Sequence, residues 1–337
     1  MAVYGGIDLH SNNSVLALIS SEGKVLFQKR YPNDLQCILD ALAPFRAELD
    51  SLVVESTYNW YWLVDGLMDA GYEVRLCNPA KADRYDGLKY SDDFSDARWL
   101  AEMRRLGILP EGYIYPREER MVRDVLRRRM HLVRLRTTLV LSSQNLLARN
   151  TGEQLSGNAI KALEWEAVEQ YLPEPNLGLA VRANIAVVER LNEQIALLEA
   201  VTKSQVRFKP VFRALKSVPG IGEALALTIL LETGDIHRFA KPGQFASYCR
   251  CVKGERRSND KRKGEGHRKA GNRYLAWAFV EAAHFAVRHY RPVQRFYQRK
   301  RARTNGIVAI KAVANKLARA SFYVMRDQVA FQMERAF

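Results

Sequence analysis

Four acidic residues in the first third of the chain have the type and spacing that a metal site requires. Asp8 closes a short apolar run, and Glu55 closes the run Leu52-Val53-Val54, so each is expected at a strand end. Asp93 and Asp96 are three residues apart and would share one face of a helix. Carboxylates in one pocket repel one another unless cations are present. Two Mg²⁺ ions about 4 Å apart would neutralise them and hold both sides of a scissile phosphate.

Each of these acids, taken alone, also has a purely structural interpretation. Acidic residues are common at strand ends and helix starts, where they accept hydrogen bonds from backbone N–H groups. Asp92 stands directly before Asp93, so a shift of one residue would exchange the two. The spacing to Asp96, which Ala97-Arg98 follows, favours Asp93 as the third acid.

The elements that must position these acids alternate between strands and helices. Apolar runs and turn residues predict strands over 3–8, 14–19, 24–30, 52–54 and 72–77, and helices over 34–45, 61–70 and 93–106. Asn33 is the expected cap of the first helix. This order is that of an RNase H-like layer, one mixed sheet flanked by helices. In such a sheet the first and fourth strands are neighbours and the late helix crosses their ends, which would gather the four acids.

Two long helical patterns follow the predicted sheet. Residues 118–149 carry several arginines beside an apolar face formed by Val122, Val125, Val133 and Leu139. Residues 180–203 carry a coiled-coil-like seam formed by Ile185, Val188, Ile195 and Leu198. Pro173-Glu174-Pro175 separates the two helices. The pair is interpreted as a helical hairpin or a dimerisation arm, and an ordinary helical linker domain fits the pattern equally well.

A glycine-bearing turn opens the last third of the chain. Val218-Pro219-Gly220-Ile221-Gly222 precedes a helix that begins near Ala224. A turn of this kind between two helices exposes backbone N–H groups at a helix N-terminus, which attract phosphate. Gly220 and Gly222 are therefore candidate nucleic-acid contacts of a helix-hairpin-helix type, which grips a backbone without reading sequence. The alternative is a tight structural turn between packed helices.

A strongly basic segment, from Cys251 to Arg273, is the main candidate for contact with nucleic acid. It is predicted to be a glycine-bearing loop, because so many charges cannot be buried. The candidate contacts are Arg256, Arg257, Lys261, Arg262, Lys263, Arg268, Lys269 and Arg273. Ser258 lies among them, and a serine flanked by arginines could attack a phosphodiester. Basic loops often contain a serine by chance, and a solvated loop without a partner is the other interpretation.

The charge distribution limits the class of protein. The 337 residues carry a net charge of +15, which favours a polyanionic partner. Residues 1–100 hold 15 acids and 9 bases, a balance of −6, so the remainder carries +21. A structural chromatin-like protein would not explain that acidic third. No run is long and apolar enough for a membrane span, and the N-terminus lacks a signal-peptide pattern, so a cytoplasmic protein without a membrane partner is expected.

Taken as a whole, the sequence resembles the DEDD-type transposases of the IS110 and IS1111 insertion sequences, which are related to the Piv invertase. The resemblance to their RuvC-like part rests on Gly6-Ile7-Asp8, Val54-Glu55-Ser56-Thr57 and Asp93-Phe94-Ser95-Asp96-Ala97-Arg98. The resemblance to their serine-bearing part rests on 217–222, 239–248, Arg257-Ser258-Asn259 and 269–275. Two end segments, 296–300 and 309–314, are more similar to the IS1111 branch. No single motif is specific, but two domains in this order are.

The resemblance implies a mechanism that spacing alone does not. Asp8, Glu55, Asp93 and Asp96 would bind the metal, and Ser258 would be the nucleophile that becomes covalently linked to DNA. The two domains would form a composite site within a homo-oligomer, a dimer or tetramer. An RNA encoded by the element would guide the enzyme to donor and target DNA. The chain departs from the family where Ser91-Asp92 precedes the third acid and where Asn259 follows the serine.

The prediction is therefore an α/β plus α protein in three parts. Residues 1–116 form an RNase H-like (RuvC-like) mixed-sheet domain, 117–207 a long-helix coiled-coil region for oligomerisation, and 208–337 a mainly helical transposase domain with a helix-hairpin-helix-like motif. Its function would be guide-RNA-directed DNA transposition or recombination with Mg²⁺. One alternative is a RuvC-like nuclease that uses metal-activated water and no serine. Another is a nucleic-acid-binding protein with a decayed metal site, against which the presence of all four acids argues.

Overall fold

A computed structural model describes residues 2–79, 82, 92–164, 167–172, 174–206, 209–265 and 270–337, together with the backbone but not the side chains of Arg256, Arg257, Arg262 and Glu265. The chain divides into two compact units, Met1–Arg117 and Glu118–Phe337. The three-part division expected from the sequence stays a prediction. Among the described residues, no helix is long and apolar enough to cross a membrane.

The first unit is built on a mixed sheet. Its strands are β1 (Val3–Leu9), β2 (Asn13–Ser20), β3 (Val25–Pro32), β4 (Leu49–Glu55), β5 (Val74–Cys77) and β6 (Glu111–Gly112), and its helices are α1 (Leu35–Leu42), α2 (Tyr61–Asp69) and α3 (Asp93–Arg105). The strand order is β3-β2-β1-β4-β5-β6. β1 is parallel to β4, and β4 to β5, whereas the outer strands run antiparallel to their neighbours. This arrangement confirms the predicted RNase H-like mixed sheet.

Both faces of the sheet are covered, which explains why its central strands are apolar throughout. One core packs the sheet against α1 and α2 and includes Ile7, Ile38 and Leu63. Smaller clusters on the other face pack Val53 and Val15 against α3. The short strand β6 was not predicted. The cap of α1 was predicted wrongly, because Asp34 rather than Asn33 accepts the hydrogen bond from the backbone N–H of Cys37, at 3.0 Å.

The second unit is mainly helical, as predicted. Its helices are α4 (Arg117–Thr151), which starts at the unit boundary, α5 (Gly157–Lys161), α6 (Val168–Tyr171), α7 (Pro175–Val206), α8 (Pro210–Leu215), α9 (Glu223–Thr233), α10 (Pro242–Tyr248), α11 (Arg273–His289), α12 (Arg291–Arg303), α13 (Gly306–Asp327) and α14 (Met333–Ala336). Strands β7 (Glu255–Ser258) and β8 (Lys261–Glu265) form a separate pair. The largest core is formed by α8 to α13 around Phe245, Phe279 and Phe322.

The long helices α4 and α7 pack on each other within one chain. Ile185 and Val188 of the predicted seam are buried in a cluster with Val140 and Leu147 of α4, so the two helices form a hairpin, and their role in oligomerisation stays a prediction. The apolar face predicted for α4 was partly wrong. Its buried positions include two arginines, Arg120 and Arg123, alongside Leu126, Met130 and Val140.

The basic segment is not a loop over its whole length, which corrects the sequence-based expectation. β7 and β8 pair as an antiparallel hairpin with Ser258 opposite Lys261. Asn259 and Asp260 join the strands with φ values of 54° and 56°. Two adjacent left-handed residues are the signature of a type I′ turn, which matches the twist of the flanking strands. A hairpin is held by backbone hydrogen bonds, so it forms here without the alternating apolar residues that sequence analysis looks for.

Candidate metal centre and the serine hairpin

Strand register brings the first two acids to one edge of the sheet. Ile7 of β1 lies opposite Val54 of the parallel strand β4. The next residue on each strand is an acid, Asp8 on β1 and Glu55 on β4. Because parallel strands end at the same edge, both acids stand at the carboxyl end of the sheet, where ligand sites of open sheets form.

Helix α3 begins at this edge and adds the other two acids. Asp92 is its N-cap, and its side chain accepts from the backbone N–H of Ser95 at 2.7 Å in a capping box. Asp93 and Asp96 occupy the first turn. Asp92 is thus engaged with its own helix, whereas Asp93 faces the end of β1.

Gly6 permits the close approach of α3 to β1. A Cβ atom at Gly6 would stand 2.0 Å from the carbonyl oxygen of Ala97 and 2.8 Å from the backbone nitrogen of Ala101. Any side chain at this position would therefore push the helix away. The Gly6-Ile7-Asp8 motif supplies both a carboxylate and the space that lets the third and fourth acids come near it.

A histidine that sequence analysis missed lies at the centre of the cluster. His10 Nε2 is 3.1 Å from Asp8 Oδ2 and 3.3 Å from Asp93 Oδ1. Among the described residues these three side chains form a group whose ligand atoms all lie within 4.8 Å of one another. Glu55 and Asp96 lie outside that tight group. The Asp-X-His spacing at 8–10 was the available signal, because alternate residues at a strand end can converge on one ligand.

The other three acids are all close enough to Asp8 for their charges to affect its pKa. Burial raises the pKa of Asp8 to about 6. His10 opposes the rise, and the charges of Glu55, Asp96 and Asp93 add to it. Such mutual repulsion among carboxylates is the condition that a bound cation relieves.

The carboxylate of Asp93 is held by a cation of the protein itself, Arg30. Arg30 Nη2 donates to Asp93 Oδ2 at 2.6 Å, and Arg30 Nη1 donates to Asn13 Oδ1 at 2.8 Å. The hydrogen bond from Arg30 lowers the pKa of Asp93, and the charge of His10 acts in the same direction. Asp93 is therefore ionised at neutral pH and available as a ligand.

The residues fit a divalent cation. Asp8 is 4% exposed, and its Oδ2 atom makes no hydrogen bond of acceptable geometry with any described residue, although His10 Nε2 is 3.1 Å away. Burying a carboxylate oxygen without a hydrogen-bond donor lowers the stability of the fold unless a cation binds that oxygen. Carboxylate oxygens suit Mg²⁺ and Mn²⁺, and an imidazole favours the transition metal.

Ser258 occupies the last position of β7, at the corner of the hairpin turn, and is exposed. The following Asn259 adopts a left-handed conformation that glycine and asparagine tolerate best. The departure from the family pattern at this position is therefore compatible with the same turn.

The predicted basic contacts around this serine are described to different extents. Lys261 and Lys263 are exposed on β8. Arg256, Arg257 and Arg262 lie on the two strands, but their side chains are outside the described residues, as are Arg268 and Lys269 entirely. Arg273 stands at the start of α11, and its Nη2 atom donates to the hydroxyl of Tyr274 at 3.1 Å.

The two glycines of the predicted helix-hairpin-helix motif have different surroundings. Gly220 has a φ of +79°, and a Cβ atom there would stand 2.1 Å from the carbonyl oxygen of Ala282 in α11. Gly222 is exposed, is the N-cap of α9, and has open space around its Cα. Gly220 thus serves tight packing of the turn on α11. The N-terminus of α9 at Gly222 is exposed, and its contact with a phosphate stays a prediction.

A buried charge network joins α4, α9 and the start of α11. Glu232 of α9 is fully buried and accepts two hydrogen bonds from Arg127 of α4, at 2.6 and 2.7 Å. The side-chain amide of Asn272 donates to the same carboxylate at 2.7 Å. The Oδ1 atom of Asn272 in turn accepts from the backbone N–H groups of Tyr274 and Leu275 and caps α11.

Two models of transposase families match the chain. A DEDD transposase model named for IS110 matches residues 5–150, and the model described as transposase IS116/IS110/IS902 family matches residues 212–298. The first match contains the four acids, and the second contains Ser258.

Individual relatives give the same result. The chain is 25% identical over 293 residues to the transposase for insertion sequence element IS1111A of Coxiella burnetii, a match that covers 84% of this chain and 78% of that protein. It is 28% identical over 236 residues to the putative transposase y4qE of Sinorhizobium fredii, covering 67% of this chain and 55% of that protein. The match therefore spans only about half of the second relative.

One solved structure is similar to part of the chain. It is T. thermophilus RuvC in complex with Holliday junction substrate, at 14% identity and a TM-score of 0.26, covering 33% of this chain and all of that one. A TM-score this low does not support a fold assignment, so the assignment made above depends on the observed strand order. Two models of the same transposase family thus match in order along the sequence, over residues 5–150 and 212–298, and these matches support a DEDD transposase of the IS116/IS110/IS902 family.

Proposed function

We propose that this transposase cuts and rejoins DNA through Ser258, assisted by divalent metal ions that Asp8, Glu55, Asp93 and Asp96 hold, with Mg²⁺ as the physiological ion. The observation that carries the proposal is the clustering of three further acids, Glu55, Asp93 and Asp96, near a buried Asp8, whose pKa is raised by burial and by their charges. A site with that much negative charge is poised for cations rather than for a neutral substrate. The metal would stabilise charge on the scissile phosphate and activate the attacking oxygen.

The chemistry assigned to Ser258 is a transesterification. Its Oγ–H loses a proton, Oγ forms an ester with phosphorus, and the bond from phosphorus to a deoxyribose oxygen breaks, with that oxygen leaving as a hydroxyl. Attack by a second deoxyribose hydroxyl reverses the step and joins two strands. The exposed position at a hairpin corner supports this role, because a nucleophile must reach a phosphate outside its own domain.

The finer parts of the proposal come from the family resemblance. A guide RNA would select donor and target DNA, the active species would be a dimer or tetramer, and the chain would belong to the IS1111-like branch. The exposed bases Lys261 and Lys263 beside the serine suit contact with phosphate. A cytoplasmic location stays a prediction.

The decisive experiment is covalent trapping. Full-length protein with its co-purifying RNA is mixed with labelled element-junction DNA and Mg²⁺, denatured and separated on a gel. We expect a protein–DNA adduct with the wild type, and none with Ser258→Ala or Asp8→Asn. Ser247→Ala removes another exposed serine of the same unit and serves as the matched control. Adduct formation should also cease when the RNA is digested beforehand.

The alternative nuclease gives a different pattern in the same gel. DNA that is cut without an adduct, equally well by the wild type and Ser258→Ala but not by Asp8→Asn, would mean that metal-activated water is the nucleophile. The role assigned to Ser258 would then be wrong, while the metal site would stand.

A further inference from the structure

Helix α12 carries an unusual concentration of uncompensated positive charge. Its bases are Arg291, Arg295, Arg299, Lys300, Arg301 and Arg303, and all six are exposed. None of them forms an ion pair or a side-chain hydrogen bond with a residue in the part of the chain that the structure describes. The surrounding sequence does not compensate them either, since residues 282–326 contain 11 lysines and arginines and no acid.

Four of these arginines form one stripe. Arg291, Arg295, Arg299 and Arg303 follow at intervals of four, so they stand about 6 Å apart along the helix and span about 18 Å. The other face of α12 attaches it to the core, through buried Val293 and half-buried Phe296 and Tyr297. The stripe is thus a rigid ladder of guanidinium groups on a packed helix.

An open depression runs beside the stripe. It is lined by Arg295, Arg299, Pro292, Gln298 and Phe337. Phe296 is unavailable at this surface, because its ring packs edge-on against Phe337 at 5.7 Å and lies beneath the ammonium group of Lys316 at 5.0 Å. Stacking on unpaired bases needs free aromatic faces, and the rings of Phe296 and Phe337 are already engaged with each other and with Lys316.

We propose that the exposed face of α12 binds the sugar-phosphate backbone of a DNA duplex. Guanidinium groups pair with phosphate oxygens in a bidentate geometry, and one strand of a duplex offers a phosphate about every 3.4 Å of axis. A ladder about 18 Å long therefore meets several phosphates of one strand and gives position without sequence choice. The inference rests on the proposed function, because it supplies a second anchor for the DNA that Ser258 and the acids act on.

The test compares two variants with the same loss of charge. In the first, Arg291, Arg295, Arg299 and Arg303 are all replaced by Gln. In the control, Arg128, Arg149, Arg213 and Lys241, which are exposed and scattered over the second unit, are all replaced by Gln. Binding of full-length protein, freed of nucleic acid, to a labelled duplex of about 20 base pairs is measured by fluorescence anisotropy at several salt concentrations. Matched DNA and RNA duplexes distinguish the two sources of the backbone.

The slope of log K against log salt is negative, and each lost phosphate contact reduces its magnitude by about 0.9. We expect the α12 variant to lose about 3 in slope and at least 100-fold in affinity at low salt, while the control loses less than 1 in slope. We expect this loss with the DNA duplex, and a loss confined to the RNA duplex would overturn the inference. Equal slopes for the two variants would overturn the inference, because net charge rather than the ladder would then explain the binding.

The covalent-trapping assay separates this inference from the proposed function. At saturating protein and low salt, the α12 variant should still form the Ser258 adduct, since its chemistry is intact. Normal duplex binding by the α12 variant together with a Ser258-dependent adduct would refute only the inference. Weakened binding together with an adduct that persists in Ser258→Ala would refute only the proposed function. Unchanged circular dichroism confirms that each variant is folded.

Discussion

Helices α4 and α12 are both rich in arginine, yet the fold treats their charges in opposite ways. On α4, Arg127 is paired with Glu232, Arg129 with Glu199, and Arg136 donates to Asn192. On α12 the six bases have no such partner among the described residues. An arginine that an internal carboxylate already neutralises is a structural element, and only an arginine that the fold leaves unpaired is available to a polyanion.

The same distinction applies to the acids. Asp92 is engaged in capping α3, and Glu232 is engaged with Arg127 and Asn272. Asp8 is buried with a neighbouring imidazole but without a hydrogen-bond donor for Oδ2 among the described residues. Charges that the fold satisfies stabilise it, whereas charges that it leaves unsatisfied lower its stability and bind ligands.

Removal of Arg127 should have the largest effect, because Arg127→Ala takes two hydrogen bonds and a positive charge away from the fully buried carboxylate of Glu232. Breaking such a pair from one side costs about 3 kcal/mol. Urea unfolding monitored by circular dichroism measures the loss. Arg128→Ala, one residue further on and exposed, should change stability by less than about 0.5 kcal/mol. Similar losses for the two variants would contradict the distinction drawn between structural and available arginines.

Asp8→Asn should stabilise the metal-free protein at neutral pH. Folded Asp8 keeps its proton up to about pH 6, whereas in the unfolded chain an aspartate loses it near pH 4. The folded state therefore binds more protons in this interval, so wild-type stability decreases as pH rises through it. We expect Asp8→Asn to raise the free energy of unfolding by about 2 kcal/mol at pH 7.5 in the presence of a chelator. At pH 3.5 the substitution should leave it almost unchanged.

Thermal unfolding at the two pH values measures this difference, with Asp40→Asn, an exposed acid of the same unit, as control. Added Mn²⁺ should stabilise the wild type and leave Asp8→Asn unchanged. Destabilisation by Asp8→Asn at both pH values would contradict this prediction. It would mean that the carboxylate of Asp8 stabilises the fold, as the paired carboxylate of Glu232 does.

Arg30→Gln should strengthen metal binding several-fold. Arg30 pairs with Asp93 and competes with a cation for its carboxylate, and removing it leaves Asp93 ionised at neutral pH. Titration of Mn²⁺ followed by electron paramagnetic resonance measures the affinity without any need for turnover. Lys29→Gln removes the neighbouring exposed base and should leave the affinity within a factor of two. Weaker Mn²⁺ binding by Arg30→Gln would show that Arg30 positions Asp93 for the metal.

The smallest effect on stability is expected on α12. Replacement of Arg291, Arg295, Arg299 and Arg303 by Gln removes no described internal partner, so the unfolding midpoint should shift by less than that of Arg127→Ala alone. Relief of repulsion among the four charges would make the shift slightly positive. A large loss of stability would mean that these arginines serve the fold, and the proposed duplex surface would lose its basis.

Sequence patterns predicted the elements well where the signal is local. Apolar runs and turns located the main strands and helices of the sheet, because burial on both faces leaves a direct record in the sequence. The mixed sheet with a mainly helical second part followed from their order. The hairpin at 255–265 was missed, because its pairing depends on backbone hydrogen bonds and a two-residue turn rather than on apolar periodicity.

By itself, the sequence determined which residue types are present and which local elements they form: four acids at strand ends and a helix start, a serine among bases, and the motifs of a DEDD transposase. Only the tertiary structure decided which charges meet. Arg127 and Glu232 are 105 positions apart, and His10 reaches Asp93 through the packing of α3 on Gly6. Which charges pair depends on their distance in space, because the interaction energy of two charges falls as that distance grows. No local sequence pattern records that distance.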